Sequence, residues 1–310
     1  MYKLFLSVIW ILFYIYGLLI PSYYLPKKLY EPVINTLKNT TQNLASLIFD
    51  INLHENTDIK FENDSKIDII LCNHINYLDS SIISAILKNY SINKFNFIYN
   101  SNTTLVPGIG LILYCGTDIK IHKKDWNDDK NMLSKQLNNL ATAKKQVLII
   151  FPEGSIFNNK LKKKAQEFAK KNNLEPLDNL LIPRARGIYH LINTLKNINK
   201  MGKLWECTLI PIKRATNAIF GELEMPLTDN YDVFKNWLYN LWYQKDLVIK
   251  DHKLLNYDKI ETESTPEFYI LLLMVALFGL ELLFSKYGRY YLLANFMIGY
   301  FIVIKSLLFT

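Results

Sequence analysis

The stretch Leu71-Cys72-Asn73-His74-Ile75-Asn76-Tyr77-Leu78-Asp79 decides how this chain is read. Just upstream, Ile67, Ile69, Ile70 and Leu71 make an apolar, β-branched run of strand length. Just downstream, Asp79-Ser80-Ser81 ahead of Ile82-Ile83 has the composition of a helix start. His74 therefore falls in the turn between a strand and a helix. A carboxylate five positions on can hold one ring nitrogen there, fixing the tautomer and leaving the other nitrogen as a general base. Alone, the pattern equally suits a packed turn histidine followed by a helix cap, so the rest of the chain has to decide.

Outward from this stretch, strand-like and helix-like segments alternate. Residues 95–99, 119–121 and 146–151 read as strands, and 204–212 and 218–225 as two late ones. Helical spacing covers 131–144, 161–171, 188–195 and 232–255, while 52–66 is polar and reads as a loop. Such alternation predicts an α/β fold, a mixed, largely parallel sheet flanked by helices. The helix at 161–171 carries Lys162-Lys163-Lys164 and Lys170-Lys171, a run most simply explained as a solvated face.

The apolar excess sits at the two ends. Residues 4–20 hold no charge, 268–284 only Glu281, and 290–309 only Lys305; each approaches the roughly 20 residues that span a bilayer. They predict an N-terminal membrane helix within 1–28, a middle domain over 29–264 and a C-terminal transmembrane hairpin over 265–310. Residues 30–49 have the spacing of an amphipathic helix. The net charge of +8, from 36 Lys and Arg against 28 Asp and Glu, suits an anionic partner. With apolar ends that partner is membrane lipid rather than nucleic acid. Lys27-Lys28 behind the first segment place the middle domain on the cytosolic side. Cys72, Cys115 and Cys207 are odd in number and lack metal-type spacing, which suits a reducing compartment and speaks against disulfides and a zinc site.

Three further segments bear on chemistry. Val147 to Phe151 runs into Pro152-Glu153-Gly154-Ser155, a turn whose backbone N–H groups and missing Cβ at Gly154 let an anionic ligand approach closely. Between the two turns, Gly108, Gly110 and Gly116 lead to His122-Lys123-Lys124. Later, Pro183-Arg184-Ala185-Arg186-Gly187 puts two arginines before a helix, a forked-donor arrangement compatible with phosphate.

In this order and spacing the chain resembles the glycerophospholipid acyltransferases. Asn73-His74 with Asp79 is similar to their N-H-x-x-x-x-D motif, Phe151-Pro152-Glu153-Gly154-Ser155 to F-P-E-G-[ST], Gly116 to His122 lies where they have G-x-x-x-x-x-R, and Leu181-Ile182-Pro183-Arg184 resembles their final proline motif. Trp237, Trp242 and Lys245-Asp246 further resemble eukaryotic-type members. The resemblance implies a membrane-bound enzyme moving a fatty acyl group from acyl-CoA, a co-substrate, to a lysophospholipid, with no metal or other cofactor. It implies His74 and Asp79 as catalytic, and Asn73, Gly116, His122, Lys123, Glu153, Gly154, Ser155, Arg184 and Arg186 as substrate-binding. The implied acceptor is 1-acyl-sn-glycerol 3-phosphate; lysophosphatidylinositol or lysocardiolipin is the alternative, and the implied location is the endoplasmic reticulum or a related endomembrane. Two positions depart from the pattern: Ile156 and His122 stand where many members have arginine. A lipid-binding protein that keeps the fold without catalysis is a further reading of those losses. A serine hydrolase is disfavoured because no G-x-S-x-G turn occurs.

Overall fold

The computed structural model describes residues 50–260 apart from 63, 77–78, 93, 106–112, 114–115, 123–124, 142–145, 213–214, 227, 252–254 and 256, together with Tyr290 and Met297. In chain order the elements are β1 (Asp50–Glu55), β2 (Ile67–Cys72), α1 (Asp79–Asn89), β3 (Phe95–Asn100), β4 (Ile119–Ile121), α2 (Trp126–Leu140), β5 (Gln146–Ile150), α3 (Asn159–Lys171), α4 (Ala185–Asn197), β6 (Met201–Ile212), β7 (Ala215–Leu223), α5 (Tyr231–Asp251) and β8 (Asp258–Lys259). Leu44–Ile98 and Asp125–Thr262 form one compact unit, and Tyr99–Lys124 groups with another.

Within the larger unit the strands lie in the order β3-β5-β2-β6-β7-β1-β8. β2 is parallel to both its neighbours, β5 and β6, and β3 is parallel to β5. β6 and β7 form the antiparallel pair, and β1 returns parallel to β7. The sheet is thus mixed and largely parallel, flanked by helices, as the alternation predicts. A strand with parallel neighbours and helices on both faces has no solvent side. All six residues of β2 are accordingly buried, which explains its continuous apolar run.

Helix α1 packs Ile82, Ile83 and Ile86, each fully buried, into a core with Ile70, Cys72, Trp205 and Phe220. Each such side chain contributes about 1.5–3 kcal/mol by leaving water. The helix ends where Ser91 turns to φ 59 and Ile92 N–H reaches back to the Leu87 carbonyl, a left-handed stop of the common C-terminal kind.

Three sequence expectations need correction. Residues 52–66 are not wholly loop: β1 lies at their start, burying Ile51 and Leu53 while Asn52 bonds Asn217 of β7 at 2.9 Å. Only two apolar residues mark its alternation, too few to read against the polar background. Helix α2 begins at Trp126, ahead of the expected 131, because Asp125 caps it through the N–H groups of Asn127 and Asp128. Helix α4 begins at Ala185 rather than 188. Among the described residues no helix is long and apolar enough to cross a membrane. Apart from Tyr290 and Met297, the segments 4–20, 30–49, 268–284 and 290–309, on which the membrane helix, amphipathic helix and hairpin were placed, lie outside the described residues.

Candidate active site

Because β2 and β5 are adjacent and parallel, with Leu71 opposite Ile150, the turns that follow them emerge side by side at one sheet edge. Ligand sites in α/β sheets form outside such carboxyl ends. The first turn carries His74 and the second Glu153.

His74 Nδ1 lies 2.9 Å from Asp79 Oδ2. The same oxygen accepts the backbone N–H groups of Ile75 at 2.6 Å and Asn76 at 2.9 Å. Asp79, first residue of α1, is fully buried, whereas the His74 side chain is 21% exposed. Two backbone amides and the imidazole thus converge on this one carboxyl oxygen at the N-terminus of α1. That oxygen accepts from Nδ1–H, so that Nε2 carries the lone pair. The imidazole stacks on Phe151 at 4.2 Å between ring centres.

Behind the histidine, the fully buried Asn73 donates its amide to the Leu209 carbonyl at 2.9 Å and accepts Leu209 N–H at 2.7 Å. Its side chain continues the pairing of β2 with β6 past Cys72 and Cys207, so both of its polar atoms face the protein. Glu153 also turns inward. Only 3% exposed, it accepts His74 N–H at 3.4 Å and Trp242 Nε1–H at 3.2 Å on Oε1, and Leu181 N–H at 3.4 Å on Oε2. Burial pushes its carboxyl up to about 8, against the opposing pull of Trp242, Leu181, His74 and the Lys245 ammonium.

The second turn is closed by Gly154 N–H on the Phe151 carbonyl at 2.9 Å, with Gly154 at φ 67, a conformation that favours glycine. Ser155 bonds the Gly154 carbonyl through its hydroxyl, and Phe157 N–H donates to the His74 carbonyl at 2.8 Å. These contacts lay Gly154 and Ser155 across the histidine turn. Arg184 joins the cluster through its backbone N–H, 2.9 Å from the Pro152 carbonyl, and keeps an exposed side chain. Arg186 is exposed too, its guanidinium 5.7 Å above the Trp126 ring. The structure thus brings together Asn73, His74, Asp79, Glu153, Gly154, Ser155 and Arg184. Gly116 and His122 belong to the other unit, and Lys123 lies outside the described residues.

Sequence reasoning gave no role to Phe151, Leu209 or Lys245. Lys245 is 2% exposed, and its ammonium donates to the carbonyls of Leu71 and Cys207, each at 3.0 Å. Asp246 caps the N–H groups of Asp178 and Asn179 at 3.0 and 2.6 Å. A Lys-Asp pair inside an aromatic helix was the available signal, since charges there are seldom buried without partners.

The family model described as Acyltransferase matches residues 53–213, which include every contact of the two turns except those from α5. The chain belongs to this acyltransferase family. Among curated proteins it is 27% identical over 143 residues to lysocardiolipin acyltransferase 1 of Danio rerio, covering 46% of this chain and 37% of that protein. It is 25% identical over 157 residues to human 1-acyl-sn-glycerol-3-phosphate acyltransferase delta, covering 46% and 41%. Over 84 residues it is 36% identical to lysophosphatidylinositol acyltransferase 10 of Caenorhabditis elegans, covering 27% and 21%. The matches thus span less than half the length of each of these relatives. The expected membership among the glycerophospholipid acyltransferases is borne out at the level of the family.

Proposed function

We propose that this acyltransferase moves a fatty acyl group from acyl-CoA to the free hydroxyl of a lysophospholipid, with 1-acyl-sn-glycerol 3-phosphate as acceptor and phosphatidic acid as product. The observation that carries the reading is the 2.9 Å contact of His74 with a fully buried Asp79. His74 Nε2 takes the hydroxyl proton as that oxygen attacks the thioester carbonyl. The tetrahedral intermediate then expels CoA as thiolate, the C–S bond breaks, and the imidazolium returns the proton to sulfur. Asp79 holds the Nδ1 proton and offsets the imidazolium charge. General-base assistance contributes about 10²- to 10⁴-fold, and alignment of both substrates supplies the rest. The step as written uses no metal.

For the acceptor, Gly154, Ser155 and Arg184 are the candidates beside the histidine turn, and Gly116, His122, Lys123 and Arg186 are the further ones the motif resemblance implies. The human relative's name supports a phosphate monoester. The zebrafish and nematode names, together with Ile156 in place of arginine, favour a phosphodiester acceptor as the second reading. The apolar segments at the two ends anchor the enzyme in the endoplasmic reticulum or a related endomembrane, with the catalytic unit cytosolic and membrane lipids around it. The test incubates membranes bearing the full chain with acyl-CoA and a panel of lysophospholipids and reads products by mass. Product from lysophosphatidic acid is expected. Product only from lysophosphatidylinositol or lysocardiolipin would replace the acceptor, and no product from any would leave a lipid-binding protein.

A further inference from the structure

The family match ends at residue 213, yet the site is not closed by that segment alone. Two side chains of α5, Trp242 and Lys245, lie three residues apart and so share one helix face. Trp242 is fully buried and donates its indole N–H to Glu153 Oε1, the oxygen that also receives the His74 backbone N–H. Lys245 sits 5.0 Å over the Trp242 ring and donates to carbonyls of two adjacent strands, Leu71 near the end of β2 and Cys207 in the middle of β6. Its ammonium is also 3.9 Å from Glu206 Oε2.

A lysine taken from water is tolerated only when its donors find acceptors. These acceptors lie two residues before Asn73 and two before Leu209, the pair bonded just behind His74. The backbone leading into the histidine is therefore tied to α5 at two points, at Leu71 through Lys245 and at His74 through Glu153 and Trp242.

We propose that Trp242 and Lys245 are positioning residues that set His74 for proton transfer, and that Glu153 is the internal brace through which Trp242 acts rather than a ligand for the acceptor. The inference rests on His74 being the base. Glu153, Trp242 and Lys245 are each at most 3% exposed, so none has surface to offer a substrate. What they control is where the imidazole stands between its Asp79 acceptor and the hydroxyl it must reach.

The test uses the full chain in detergent with three variants, Trp242→Phe, Lys245→Met and Glu153→Gln. Two quantities are read: steady-state kinetics, and the downfield NMR signal of the His74 Nδ1 proton in its bond to Asp79, which needs no substrate. Trp242→Phe and Lys245→Met are expected to lower kcat about ten- to a hundredfold, with KM for both substrates unchanged, and to broaden the Nδ1 proton signal. The Trp242→Phe/Glu153→Gln double variant should lose no more kcat than Glu153→Gln alone, because Trp242 acts through that carboxylate. A lowered Tm with kcat and the proton signal intact would overturn the proposal in favour of a purely structural helix. A raised acceptor KM at constant kcat in Glu153→Gln would overturn it by making Glu153 an acceptor ligand. If Trp242→Phe does not fold, Lys245→Met and Glu153→Gln carry the same readouts. Should the proton signal respond while the wild-type chain acylates no lysophospholipid, the brace stands and the proposed function fails.

Discussion

Replacing Asp79 by asparagine separates what this residue does for the fold from what it does for the reaction. Asp79 Oδ2 accepts His74 Nδ1 and the backbone N–H groups of Ile75 and Asn76, while Oδ1 is buried without a hydrogen-bond partner among the described residues. An asparagine that keeps its oxygen at the Oδ2 position retains both backbone bonds. Its NH2 then occupies the unpartnered site, at about 1–3 kcal/mol. The fold should survive that loss, lowering Tm by several degrees. Catalysis loses more, because the imidazolium no longer faces a negative charge. Two unit charges about 4 Å apart at an effective dielectric of about 20 attract by about 4 kcal/mol, or about three orders of magnitude in rate. The assay follows CoA release with a thiol reagent at saturating acyl-CoA and lysophospholipid, alongside thermal melting by circular dichroism. A folded Asp79→Asn enzyme within tenfold of wild-type kcat would refute the assignment of Asp79 as the partner of a charged base.

Asn73→Ala should lower stability by about 3 kcal/mol, since both the N–H and the carbonyl of Leu209 lose their partner inside the protein; a melting curve unchanged from wild type would contradict the strand-pairing role. Glu153 makes stability depend on pH: its folded value of about 8 lies above the ordinary 4.5, so its contribution is complete below 4.5 and lost as pH rises through about 8. The wild-type Tm should therefore fall between pH 6 and pH 9, on the order of 1 kcal/mol of stability per pH unit up to 8, and Glu153→Gln should flatten that slope. Ile156→Arg should lower the KM for lysophosphatidic acid by supplying a forked donor beside Ser155, and leave the KM for acyl-CoA as it was.

The parts of the fold legible in the sequence are those where burial acts on consecutive residues. β2 and β5 read correctly because central parallel strands have no polar face, and α1 because Asp79 announces its start. β1 was missed because only Ile51 and Leu53 point inward while Asn52 pairs with an asparagine on β7. The site divided in the same way. The motif spacing gave His74 and Asp79, whose contact is local, spanning five residues. Glu153 and Asn73 read as substrate-facing because one-dimensional spacing does not say which way a polar side chain turns at the end of a strand. Their partners, Trp242 and Leu209, are 89 and 136 residues distant, and nothing in the local pattern links them.

With Glu153 turned inward, the segment from Phe151 to Phe157 offers a ligand no outward charged side chain, since its other residues are Pro152, Gly154, Ser155 and Ile156. Backbone N–H groups and the Ser155 hydroxyl can bind a phosphate, yet they leave its charge unmatched. The guanidinium of Arg184 is exposed and its backbone is bonded to Pro152, which ties that charge to the same turn, whereas Arg186 rests on Trp126. One fixed cation balances the single charge of a phosphodiester; the nearly doubly charged monoester of lysophosphatidic acid needs a second. The choice between the two proposed acceptors therefore turns on whether a second cation joins Arg184 at the phosphate, a requirement of lysophosphatidic acid and not of a phosphodiester.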